Sequence, residues 1–412
     1  MAALAALAAS NLGSICIKFF SSIKRVPKML KVYLTVLSAI WKKFGVSPLL
    51  FTWGVLPLFR SFSQFTLFLD GVFFPGYRRQ KINHPVFILG CPRSGTTFLH
   101  LLLTQKREFP SFETWQLIFP SLTARVLFKP LINYLANNNL GTIMGEKSGH
   151  KMSLTKIEHD AFLFIHRLDT LGRGISSFVF EDSNQAKIPE LEIPDRQPKY
   201  FRQSSMKFFK GCLQRQIYYT GKKQILAHAH SSIFQIKTLL EAFPDAKFIY
   251  LVRSPYQTIP SLISFMLSKD PNFSRNSKKR GKDLDFSSGF EQKVVKRGYQ
   301  EALDLYNYFY KLEKNEEIPS DSYLILSYDE LRYDLDRAAE KIFAFTGIKP
   351  SEQLREAIEH QSKLQKDYKR THKNFTLQEL GITKDQITKD FSFVFEHYGF
   401  EKHIEKAQVS VS

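Results

Sequence analysis

The stretch VFILGCPRSGTT at residues 86–97 constrains the fold of this chain more than any other. Its first four residues form a continuous apolar run with β-branched and aromatic types, the pattern of a strand buried on both faces. The run passes without a spacer into a segment holding Gly90 and Gly95. A helical pattern follows over residues 98–104. Strand, glycine loop and helix in that order open a parallel sheet wound with helices. The same reading predicts strands at residues 247–252 (KFIYLV) and 323–326 (YLIL), and a weaker one at 225–227. A helical stretch is expected from Tyr256. The fold class is therefore α/β, a three-layer α/β/α arrangement on a parallel sheet. Helical additions are expected at both ends, dividing the chain into residues 1–84, 85–350 and 351–412.

The loop itself, Gly-Cys-Pro-Arg-Ser-Gly-Thr-Thr at residues 90–97, has the G-x-x-x-x-G spacing of a phosphate cradle. Glycines let successive backbone N–H groups turn inward, and the following helix adds its positive dipole end. Arg93 supplies a planar, permanently charged donor that grips two oxygens at once. Ser94, Gly95, Thr96 and Thr97 complete the cradle with amides and hydroxyls. A nucleotide-triphosphatase loop carries Lys directly after the second glycine, whereas here that position is Thr96. The strand at 247–252 ends in Arg253 and not in an Asp that would hold Mg²⁺. A phosphate-bearing ligand held by cations without a metal is the expectation.

These residues resemble the sulfotransferase family, whose fold is P-loop-like. PVFILGCPRSGTTFLHLLL is similar to that family's loop for the 5′-phosphosulfate of 3′-phosphoadenosine-5′-phosphosulfate (PAPS). A second family signature pairs an Arg at a strand end with a Ser eight positions on, both on the 3′-phosphate. Arg253 and Ser261 match it. LDGVFFPGYRRQ, LLEAFPDAKFIYLVRSPY, SYDELRYD, THKNFTLQELGITKDQI and HYGF are similar to the branch common among bacterial sulfotransferases, so the resemblance runs from about residue 69 to about 400. It implies PAPS as co-substrate, no metal, and a hydroxyl-bearing acceptor. One departure stands out: many members of the branch have Lys in the segment matching residues 225–230, which here reads ILAHAH.

Sulfuryl transfer needs a base for the acceptor's hydroxyl proton. Glu113, in PSFETWQ, matches a Glu-Thr pair in similar sulfotransferases and ranks first. Glu158, with His159 and Asp160, ranks second. His228 and His230 rank third. Catalysis is expected from Arg93, Glu113 and Glu158. Arg370, His372 and Lys373 belong to a family-like stretch that would approach the nucleotide.

The formal charge of +19 favours anionic partners. Two competing classes follow from it and from the loop: a P-loop kinase or triphosphatase, and a non-enzymatic basic membrane-binding protein. The chain has neither an aromatic RNA-binding signature nor zinc-finger spacing, so nucleic acid is not expected. Cys16, Cys91 and Cys212 show no pairing or metal spacing and read as free thiols of a reducing, cytoplasmic compartment. The N-terminal region lacks the charge order of a secretory signal. Its apolar runs are broken by Lys31, Pro48 and Pro57, too short to span a bilayer. Phe, Trp and Leu flanked by Lys and Arg fit helices packed on the core, or peripheral membrane contact through residues 1–75. Residues 270–286 read as a basic loop.

Overall fold

The computed structural model describes residues 56–144, 152–166, 193–269, 289–366 and 374–400. Its strands are β1 (Val86–Gly90), β2 (Thr142–Met144), β3 (Met152–Ser153), β4 (Leu226–His228), β5 (Lys247–Val252) and β6 (Tyr323–Ser327). Four of them make the central sheet in the order β4-β1-β5-β6, every neighbouring pair parallel. β2 and β3 form a separate antiparallel pair. The strand read at 247–252 is observed residue for residue. The first gains Gly90, the third gains Ser327, and the weak one is displaced by one residue.

The helices are α1 (Leu56–Phe73), α2 (Thr96–Thr104), α3 (Thr114–Ile118), α4 (Leu122–Asn137), α5 (Lys199–Thr220), α6 (Ile236–Ala242), α7 (Pro255–Lys269) and α8 (Gly289–Lys314). Beyond β6 follow α9 (Tyr328–Tyr333), α10 (Leu335–Thr346), α11 (Glu352–Lys366), α12 (Lys384–Asp390) and α13 (Ser392–His397). Alternation along each strand sends side chains to opposite faces of the sheet. Phe87, Leu89, Phe248, Tyr250 and Val252 join one core with α5, α6, α7, α8, α12 and α13. Val86, Ile88, Ile249 and Leu251 join a second with α2, α9, α10 and α11. Sheet residues buried on both faces explain the unbroken apolar runs. The result is the three-layer α/β/α arrangement.

Both flanking regions are tied to the sheet's own layers. Asp70 of α1 is fully buried and accepts from Ser121 Oγ, Leu122 N, Thr123 N and Oγ1, and Arg215 Nε, the last at 2.6 Å. One carboxylate thus caps α4 and pairs with α5. At the other end Phe391, Val394 and Phe395 are buried in the core that holds Tyr250.

Candidate active site

Ligands of parallel α/β sheets gather at the carboxyl ends of the strands. Here the ends of β1, β5 and β6 lie side by side, and β1–β5 pairing sets Gly90 against Leu251. The glycine loop therefore starts beside the residues that follow β5. Gly90 has φ 152°, and a Cβ on it would meet Leu251 O and Ser94 Oγ at 2.6 Å each, so only glycine fits. Gly95 turns at φ 99° to start α2, two residues earlier than the pattern predicts. The amides of Gly95, Thr96 and Thr97 fall in the first turn, where a helix offers no acceptor of its own.

Arg93 takes φ 76°, left-handed backbone that an L residue adopts at a cost of about 1–2 kcal/mol. This conformation carries its side chain across to α7, where Nε donates to Ser261 Oγ at 3.1 Å. Arg253, just past β5, donates through Nη1 to Arg93 O at 2.8 Å and through Nε to Gln257 Oε1 at 3.1 Å. The Arg253 guanidinium lies 3.9 Å from the centre of the Tyr328 ring. Tyr328 follows β6, and its ring edge also stands over Gly95. Three adjacent strand ends thus fix two guanidiniums in one place. Ser94 and Ser254 are buried, and among the described residues their hydroxyls have no hydrogen-bond partner. Such orphaned donors beside two cations suit a tetrahedral anion.

Glu113 caps the N-terminus of α3 and forms a bridge with Ile157. Its Oε1 lies 2.9 Å from Arg107 Nη2, and its Oε2 accepts from Trp115 Nε1 at 2.8 Å. Glu158 N donates to Phe112 O, which sets the first and second base candidates on paired segments. Glu158, His159, Asp160 and His228 form one buried cluster beside β4. The His159 and His228 rings are tilted against each other with centres 3.9 Å apart, and His159 Nε2 lies 3.7 Å from Glu158 Oε2. Asp160 accepts from His228 N at 2.6 Å. His100 of α2 completes the cluster, 4.0 Å from Asp160 Oδ2. Burial pushes the Asp160 carboxyl up to about 7 and the His100 imidazole down to about 4.

Sequence reasoning missed His100, Ser254 and Tyr328. Tyr328 stands directly after β6 and Ser254 two residues past β5, positions that mark ligand contacts in parallel sheets. His100 is one turn along α2 from Thr96, yet its single position gave no reason to prefer it over a core histidine. The His230 side chain, Arg370, His372, Lys373 and the basic loop lie outside the described residues, as do Cys16 and residues 1–55. Among the described residues no group of three or more His, Cys, Asp or Glu is arranged to hold a metal ion.

A parallel sheet covered by helices on both faces, with an arginine-bearing glycine loop at the end of β1, defines a three-layer α/β/α protein. Residues 85–352 match the profile of the sulfotransferase family, and the chain belongs to that family. It is 22% identical to omega-hydroxy-beta-dihydromenaquinone-9 sulfotransferase Stf3 of Mycobacterium bovis over 77% of this chain and 76% of that one. The protein of the same name from Mycobacterium tuberculosis matches equally. In structure the chain resembles sulfotransferase STF9 from Mycobacterium avium (TM-score 0.60, 19% identity, 81% of each chain). It also resembles STF1 from Mycobacterium tuberculosis (TM-score 0.57, 16% identity, 92% of this chain and 97% of that one). At such identities the structural likeness speaks for the fold.

Proposed function

We propose that this chain transfers a sulfuryl group from PAPS to an apolar alcohol by in-line displacement, without a metal. The observation that carries the reading is the Arg93–Ser261–Arg253 convergence, with Arg253 Nη1 on Arg93 O at 2.8 Å. It couples a loop suited to a 5′-phosphosulfate to an Arg/Ser pair suited to a 3′-phosphate. The loop amides, Thr96 and Thr97 hold the 5′ group, together with Ser94. Arg253 and Ser261 hold the 3′-phosphate, and Ser254 adds a hydroxyl. As the sulfur–oxygen bond to the leaving phosphate breaks, negative charge gathers on the bridging and peripheral oxygens. Arg93 and the first-turn amides meet that charge from fixed positions, the electrostatic form of catalysis.

The acceptor proton goes to a carboxylate on the paired segments after the loop. We assign Glu113 first and Glu158 second. An alcohol on a lipid-like molecule is favoured by the aromatic-rich chain and by the similarity to Stf3, whose name specifies a hydroxylated menaquinone derivative. A cytoplasmic enzyme with peripheral membrane contact through residues 1–75 fits such an acceptor.

Calorimetric titration tests the donor. The expected result is tight, metal-independent binding of 3′-phosphoadenosine-5′-phosphate. Binding of ATP–Mg²⁺ alone would sink the proposal and favour a P-loop kinase. Glu113→Gln tests the base: turnover should fall by about 10²–10⁴-fold with nucleotide affinity unchanged. Near-normal turnover in that variant, with loss in Glu158→Gln, moves the role to Glu158.

A further inference from the structure

Two neighbouring helices, α1 and α4, expose apolar stripes, and α1 has its polarity inverted. On α1 the buried residues are Ser63, Thr66 and Asp70, spaced at three and four. The opposite face exposes Phe65, Phe68 and Val72, each between 60% and 70% exposed. On α4, Leu122, Ala124, Arg125 and Ile132 are buried, while Leu127, Leu131 and Tyr134 are 50% to 61% exposed. The two helices touch through the Phe62 and Phe128 rings, 5.8 Å apart. A water-facing helix places its apolar stripe on the core and its charges outside. Here the inner stripe is held by the Asp70 hydrogen bonds and by Arg125, which donates to Phe119 O and Gln216 Oε1. The apolar stripe is left for something else, and neighbouring exposed apolar stripes mark an interaction site.

We propose that the outward faces of α1 and α4 form a docking surface for an anionic lipid bilayer. Charge selects that occupant. Residues 1–107 contain 14 Lys and Arg against a single acidic residue, Asp70, which is buried and ion-paired with Arg215. α4 carries the exposed Lys129 and no acidic residue, its Arg125 being buried. A purely apolar protein face gains nothing from that excess, whereas anionic headgroups do. Among the described residues no helix is long and apolar enough to cross a membrane. Aromatic and leucine side chains entering the headgroup boundary beside basic residues are the chemistry of interfacial helices. The inference adds α4 to the surface and stands independently of the donor.

Co-sedimentation of the full chain with phosphatidylcholine vesicles, with and without about one third phosphatidylglycerol, tests it. Binding is expected to the anionic vesicles and to weaken with added salt. Leu127→Glu/Leu131→Glu should lower the partition coefficient more than about tenfold, with nucleotide affinity and melting temperature unchanged. Undiminished vesicle binding by this variant overturns the surface. A lower melting temperature for it without lipid overturns the proposal too, since the chain itself would then cover the stripe. A lipid-free dimer that the variant dissociates assigns the face to a second copy instead. Equal binding to neutral vesicles removes the electrostatic part and with it the proposed lipid class.

Discussion

At the scale of single residues, Arg253 carries the most testable weight. Its guanidinium is clamped by Arg93 O, Gln257 and the Tyr328 ring before any ligand arrives. Arg253→Ala should weaken 3′-phosphoadenosine-5′-phosphate about ten- to hundredfold, the loss of a charge-assisted hydrogen bond of about 1.5–3 kcal/mol, measured by calorimetry. Adenosine 5′-phosphosulfate, lacking the 3′-phosphate, should be far less affected. Asp160 offers a pH signature. Its folded carboxyl sits at about 7 against 3.8, so the folded state holds a proton that the unfolded chain gives up between pH 4 and 7. That lowers stability as pH rises through the window. His100, held down to about 4, acts in the opposite sense between pH 4 and 6.5. In the native chain the two slopes largely cancel. Asp160→Asn leaves His100 uncompensated, so its stability relative to the native chain should rise from pH 4 to 7 by on the order of 3 kcal/mol, read by urea denaturation at each pH.

At the scale of elements, the glycine loop, its strand and its helix were legible in the sequence because their determinants are local. Apolar runs without alternation mean strands buried on both sides, and Gly90 and Gly95 stand where backbone geometry demands them. The pairing of Arg253 with Ser261 was readable as a spacing, yet their contact with Arg93 was not. That contact depends on β1 and β5 being sheet neighbours in a set register, 160 residues apart along the chain. The same holds for Asp70. In sequence it is one acidic residue in an apolar stretch. In the fold it caps α4 and pairs with Arg215 of α5. Asp70→Ala strands a buried guanidinium and two amides, and should cost about 3–5 kcal/mol in chemical denaturation. Asp70→Asn, which keeps acceptor oxygen but not charge, should cost less.

At the scale of the whole molecule, residues beyond 350 contribute to both cores. Leu354 and Ile358 close one face of the sheet, and Phe391, Val394 and Phe395 fill the other. Phe391→Ala should therefore lower global stability by about 3–5 kcal/mol. A single cooperative transition is the expected thermal profile, with far-UV dichroism and aromatic fluorescence melting together. Separate transitions would mean that the C-terminal helices fold apart from the sheet. By itself the sequence determined the layer order, the strand–glycine loop–helix unit and the family, because strand burial, glycine geometry and helix capping act over a few neighbouring residues. Only the tertiary structure decided which distant side chains meet. It brought the Glu158, Asp160 and His228 candidates together with His100, aimed Arg93 at Ser261, and set α1 and α4 with their apolar stripes outward. Those outcomes follow from strand register and helix docking, where the free energy belongs to contacts between residues far apart in the chain.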